Sequence, residues 1–215
     1  MLSGPERVMA LDHSTPCHGA HVADEPDGPL WQRAAGTGAR RGELAALRWT
    51  DVDLAAGRVT IGRQVGRYRD LDGTWQTREG IPKGGRARQV TLDPETVAVL
   101  REHRRRQSAD LLVSLAERRD GGGHVFLAPL GGPLSNYQIG RLFRRHVAAL
   151  PDLPPITAHG LRHSHATILL SHGVPAATVA ACLGHSVDVC TRTYAHWLTS
   201  ADEAAAAVWA TAVPR

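Results

Sequence analysis

Apolar residues are scattered through residues 1–36 with no sustained period of 3.6 or 2.0, and Pro, Gly and His interrupt them throughout, so this stretch is expected to be irregular. The pattern sharpens after Gly38. In ARRGELAALRW, Leu44 and Leu47 share one helical face, which predicts a short helix from about Arg40 to Trp49 before a turn at Asp51 to Asp53. RVTIGRQV (58–65) then alternates, with Val59 and Ile61 on one side, and ARQVTL (87–92) repeats the alternation with Val90 and Leu92. These two runs predict an antiparallel pair. Gly73, Gly80, Pro82, Gly84 and Gly85 break the stretch between them, with room for a middle strand at Thr74 to Thr77, and this puts Lys83 at a hairpin end.

The remainder reads as helical. Asp93 followed by Pro94 is an N-cap acceptor with proline at the first helical position, opening a helix to about Arg119 whose apolar face carries Val97, Leu100, Leu111 and Leu115. Its REHRRRQ segment reads as a solvated face. Ser135 caps a helix carrying Ile139, Leu142, Phe143 and Val147, ended by PDLPP. Helices follow from Thr157 to Ser171, closed by Gly173, and from Pro175 to Leu183, closed by Gly184. A turn from about Val187 to His196 precedes a last amphipathic helix at Ser200, where Ser200 and Glu203 have capping-box spacing. The expected fold class is α+β, mostly helical, with a small antiparallel sheet near residues 58–92 in one domain.

Composition narrows the functional classes. A chain of 215 residues that is 42% hydrophobic builds one good core. Its formal charge of +4 is mild, but twenty-four of its twenty-five cationic residues are arginine and one, Lys83, is lysine. Guanidinium forks suit phosphate oxygens, which points to a polyanionic partner; a GC-rich coding sequence explains the same bias. Cys17, Cys182 and Cys190 form no CxxC pair, so neither a disulfide framework nor a cysteine-based zinc site is indicated, and a reducing cytoplasm fits. No apolar run approaches the roughly 18 residues of a membrane span, and the first thirty lack the layout of a signal peptide.

Four segments carry candidate chemistry: GARRGEL at 38–44, PKGGRAR at 82–88, HGLRHSHA at 159–166, and LGHS with TRTYAHW between 183 and 197. Together they resemble the tyrosine recombinases of the phage-integrase type, in an R-x-x-E-L box, a hairpin lysine, H-x-x-R, L-G-H and a tyrosine about nine residues on. The resemblance covers residues 37 to about 198. It implies a tyrosine-recombinase catalytic-domain fold over 37–215 and a site-specific recombinase or integrase that cleaves and rejoins double-stranded DNA through a 3′-phosphotyrosine. In that scheme Arg40 and Arg162 bind the phosphate, Lys83 is the general acid, His159 and His185 are flanking imidazoles, Tyr194 is the nucleophile and Glu43 an acidic helper. No cofactor, metal or ATP is implied, and relatives assemble as tetramers on DNA. Residues 1–36 are expected to be a degraded start, with the N-terminal DNA-binding domain of the family absent and DNA binding weakened in a truncated copy.

Each assignment has a chemical reason. Displacement at a phosphodiester gathers negative charge on the non-bridging oxygens, which two guanidiniums can hold and neutralise. A phenol of pKa near 10 needs a neighbouring imidazole to take its proton, for which His159 is the first choice, with His185 orienting the phosphate. The leaving 5′-oxygen needs a proton that arginine cannot give and a partly desolvated lysine can. Against this stands a zinc reading, because His159 and His163 have the i, i+4 spacing of a helical metal site, with His165 or His185 as a third ligand. That reading puts Gly160 where a zinc protease has its glutamate, and leaves Arg162 and Tyr194 without a role. A DNA-binding module without catalysis is the third reading. His163, His165, His172 and His196 are read as packing or hydrogen-bonding residues.

Overall fold

The computed structural model describes Trp31 and residues 36–82, 84–113, 123–128, 134–148 and 156–198. Helix α1 (Arg41–Ala45) is shorter than its sequence suggests, because Arg40 is its N-cap and a separate 3-10 turn (Trp49–Asp51) takes up the end of the expected span. Three strands, β1 (Val52–Asp53), β2 (Arg58–Ile61) and β5 (Arg88–Thr91), form an antiparallel sheet in the order β1-β2-β5. The expected pairing of the two alternating runs is present in the register Val59↔Val90 and Ile61↔Arg88.

The first run does not continue as one strand. Alternation through Val59, Ile61 and Val65 passes through Arg63, whose guanidinium turns to both carboxylate oxygens of Asp51 at 2.6 Å. There the backbone changes partner: β3 (Gln64–Arg69) pairs with β4 (Trp75–Gly80) as a separate two-stranded ribbon. The middle strand foreseen at Thr74 to Thr77 therefore exists as part of β4, but it lies beside β3 and outside the main sheet. Gly73, at φ +83°, closes the ribbon's turn by donating to Asp70 O at 2.9 Å.

Helix α2 (Pro94–Val113) starts where Asp93 accepts from Thr96 N at 2.9 Å. Its Val97 and Leu100 are buried, while Glu102 on the solvent side pairs with Arg105 and Arg106, as a solvated charge run should. The expected continuation to Arg119 lies outside the described residues. Helix α3 (Asn136–Ala148) carries a reciprocal cap, with Gln138 N donating to Ser135 Oγ at 3.2 Å and Ser135 N to Gln138 Oε1 at 2.8 Å. Helix α4 (Ala158–Ser171) is capped by Thr157, and α5 (Ala176–Leu183) ends at Gly184, left-handed at φ +65°. The turn expected from Val187 to His196 is instead a helix, α6 (Val187–Leu198), with a break at Tyr194 (φ −118°, ψ 19°). Ser186 caps it, and Cys190 and Tyr194 recur at i, i+4 on its buried side. The helix foreseen from Ser200 lies outside the described residues.

The start of the chain also departs from expectation. Trp31 is helical, only 5% exposed, and packs edge-on against Phe143 at 4.9 Å, and Gly36 and Thr37 are helical too. The irregular reading of residues 1–36 is corrected at Trp31 and Gly36, and the other residues of that stretch lie outside the described residues. Among the described residues the buried side chains form two clusters. One gathers the sheet, α1, α2 and α3 around Leu44, Val59, Leu100 and Ile139; the other lies between α4, α5 and α6 around Ala166, Val179, Leu183 and Tyr194.

Gly42 tests how tightly α1 sits on the ribbon. In an open helix Gly→Ala gains about 1 kcal/mol, but a Cβ on Gly42 would lie 2.5 Å from Val65 O, an oxygen that also accepts from Asn136 Nδ2 at 3.0 Å. Gly42→Ala is expected to lower stability by at least about 1 kcal/mol in urea unfolding, and a stabilised variant would refute this packing.

Candidate active site

The candidate residues collect where the two clusters meet. Arg40 leads into α1 and Glu43 lies on its first turn, which buries the carboxylate to 2% exposure under the sheet. Glu43 Oε1 accepts from Arg40 Nη1 at 2.9 Å and Arg88 Nη1 at 3.0 Å, while Oε2 accepts from the backbone N of Arg40 at 2.8 Å and Arg88 Nη2 at 2.7 Å. Burial pushes this carboxyl up, but the hydrogen bonds and charge of Arg88, then those of Arg40, outweigh it and hold it below the usual range. Arg88 was not foreseen. Strand alternation carries its signal, since Arg88 falls on the same side of β5 as buried Val90, where a guanidinium requires a carboxylate.

Arg162, on α4, crosses the seam. It is 2% exposed, donates from Nη1 to Gly38 O and from Nη2 to Leu183 O, each at 2.6 Å, and reaches His185 Nε2 at 2.8 Å. Arg40 Nη2 approaches Gly184 O at 3.4 Å, so the carbonyls around the end of α5 hold both arginines. Burial, then the charge of Arg40, lowers the Arg162 pKa to about 10, which leaves it cationic at neutral pH. His185 is driven down to about 4 by burial and by Arg162. As an acceptor at Nε2, the neutral ring carries its proton on Nδ1, and that buried Nδ1 has no partner among the described residues.

Tyr194 is 3% exposed, and its hydroxyl hydrogen-bonds His163 Nδ1 at 3.1 Å. Burial raises its pKa, opposed by the charge of Arg162. The imidazole touching the phenol is thus His163, read from sequence as packing, and not His159. One helical turn separates the two histidines, their rings stand edge to face at 4.8 Å, and His163 is the one that reaches Tyr194. Burial lowers the pKa of both rings, so each is a neutral base near pH 7. Among the described residues, no three His, Cys, Asp or Glu side chains are grouped to hold a metal ion, so the His159–His163 pair gains no third ligand there. Arg40, Glu43, Arg162 and His185 are thus brought together, with Tyr194 joined to the group through His163 on the helix of Arg162. Lys83 lies outside the described residues. Its neighbour Gly84 approaches the same α5 terminus, since a Cβ there would stand 3.2 Å from Gly184 O.

Comparison with known proteins accords with this geometry. The chain belongs to the phage integrase family, whose family model matches residues 22–200. That match begins ahead of the TGAR box and includes Trp31. A tyrosine recombinase XerC-like protein of Caldanaerobacter subterraneus subsp. tengcongensis is 31% identical over 78% of this chain, and tyrosine recombinase XerC of Xanthomonas campestris pv. campestris is 30% identical over 74%. This chain spans 44% and 41% of those two proteins. In fold it is similar to the Tn1549 transposon integrase solved with circular-intermediate DNA (TM-score 0.64, 18% identity, 81% of this chain and 57% of that one). It is also similar to XerA recombinase (TM-score 0.60, 22% identity, 100% and 65%). The α+β, mostly helical fold class with its small antiparallel sheet is therefore that of tyrosine recombinase catalytic domains. Among the described residues no helix is long and apolar enough to cross a membrane.

The depressed histidines predict how stability follows pH. A histidine whose folded pKa lies below its unfolded value binds its proton first in the unfolded chain, so stability is full above about 6.5 and falls as pH drops toward about 4. Glu43, also depressed, adds a loss in the same direction below its ordinary value of 4.5. The thermal midpoint is expected to fall steadily between pH 6.5 and 4. His185→Asn should flatten that slope, and an unchanged slope would remove His185 as its source.

Proposed function

We propose that this chain is the catalytic domain, over residues 37–215, of a site-specific recombinase that breaks and rejoins double-stranded DNA through a 3′-phosphotyrosine at Tyr194. The observation that carries this reading is the convergence of Arg40, Arg162 and the unsatisfied Nδ1–H of His185 at one seam, with a buried tyrosine hydrogen-bonded to an imidazole beside them. Relatives named as tyrosine recombinases and a fold relative solved on DNA support it.

In this mechanism the two guanidiniums and His185 Nδ1–H hold the non-bridging oxygens of the scissile phosphate and take up the charge that builds on them. Tyr194 attacks phosphorus in line and its proton passes to His163, which its hydrogen bond favours over His159. His159 then faces the phosphate as a further donor, and Glu43 fixes the direction of Arg40. Lys83 protonates the departing 5′-oxygen. The phosphotyrosine conserves the energy of the broken linkage, so a second 5′-hydroxyl reverses the steps and reseals without ATP or a metal. Self-association into tetramers on DNA, in the cytoplasm and at the nucleoid, belongs to the same proposal.

With a duplex nicked beside the scissile phosphate, in EDTA, the chain should give a denaturation-resistant protein–DNA band. Tyr194→Phe should bind without forming it, and an adduct from that variant would overturn the nucleophile. Adduct-free cleavage lost in EDTA would favour a metal-dependent hydrolase, and binding alone a non-catalytic module. Arg162→Ala should slow adduct formation by at least about 100-fold at saturating DNA; a near-normal rate would remove Arg162 from the phosphate. His163→Ala should slow the same step by about 100-fold and more than His159→Ala does. The opposite order would return the base role to His159.

A further inference from the structure

We propose that Arg88 is a positioning residue: by absorbing the charge of Glu43, it leaves the positive charge of Arg40 free to act on the scissile phosphate. This rests on the recombinase reading above. Arg40 and Glu43 alone would be a closed pair, one cation against one anion, and a phosphate approaching them would meet little net charge. Arg88 changes that balance. Both of its Nη atoms bind the two oxygens of Glu43, at 3.0 and 2.7 Å, in a bidentate fork sealed from water, with the Arg88 side chain 9% exposed and that of Glu43 fully buried. Three guanidiniums, Arg40, Arg88 and Arg162, then face one carboxylate, and two positive charges remain for a phosphodiester that gains negative charge in the transition state.

Arg88 is turned to protein partners: each Nη donates to Glu43, and Nε donates to Cys182 O at 2.7 Å. Gly184, whose carbonyl receives Arg40, packs so closely that a Cβ there would lie 3.0 Å from Arg88 Nη1. The side chain therefore acts through Glu43 and Arg40, and it joins the sheet to the end of α5 while doing so. Lysine cannot replace it, because one ammonium cannot span both carboxylate oxygens and the Cys182 carbonyl.

The test is single-turnover adduct formation at saturating nicked duplex, on an ordinary phosphodiester and on a methylphosphonate, in which a methyl group replaces one charged oxygen. Arg88→Gln should slow the ordinary reaction about 10- to 100-fold, with a smaller deficit on the methylphosphonate, where less charge needs neutralising. Arg88→Lys should fall between wild type and Arg88→Gln. In a Glu43→Gln background, where there is no carboxylate charge to absorb, adding Arg88→Gln should cost far less rate than it costs the wild type. The double variant also lacks the unpaired buried carboxylate, so its comparison with Glu43→Gln carries the test if Arg88→Gln alone does not fold. An equal deficit on both substrates, or a full Arg88→Gln deficit in the Glu43→Gln background, would overturn the role and leave Arg88 a structural clamp. Absence of an adduct from the wild-type chain on either substrate would instead overturn the recombinase reading, and this inference with it.

Discussion

A carboxylate removed from water has to be matched by cations and hydrogen bonds, or it costs more than a small domain can spare. Glu43 sits under this constraint, and much of the molecule is arranged to satisfy it. Its four hydrogen bonds come from two guanidiniums and one backbone amide, on segments nearly fifty residues apart. Meeting that demand brings the start of α1 against β5, and the Nε of Arg88 extends the link to the end of α5. The two hydrophobic clusters are thus joined by a buried ionic network at the point where the candidate chemistry lies.

The network separates two kinds of legibility. Elements announced by local signals are readable: the alternation around Val59 and Val90, the caps at Asp93 and Ser135, and the Gly184 terminus all appear as the sequence predicts. What escaped depends on partners distant in sequence. Arg63 turns out of the first run because Asp51 is there to receive it; Trp31 is buried because Phe143 supplies a surface. At the site, the motif spacing marked Arg40, Glu43, Arg162, His185 and Tyr194, but could not say which of two histidines one turn apart meets the phenol. That choice depends on the direction in which α6 crosses α4, which no local pattern encodes.

Placement at a seam also bears on chemistry. Arg162 and His185 stand with α4 and the end of α5, while Arg40 and Glu43 stand with the sheet and α1, so this cluster of side chains forms only when both halves are packed. Burial at the seam lowers the pKa of the histidines, keeping them neutral near pH 7, and lowers that of Arg162 only to about 10, so its charge is kept. Tyr194, held at the break in α6, has its hydroxyl hydrogen-bonded to an imidazole.

The arginines are held largely by peptide oxygens, those of Gly38, Cys182, Leu183 and Gly184. A carbonyl does not change when its side chain does. The side chain of half-exposed Cys182 can therefore change without loosening the grip on the guanidiniums, whereas its two successors cannot: Leu183 is buried in the core, and Gly184 is left-handed at φ +65° with Arg88 packed where a Cβ would stand.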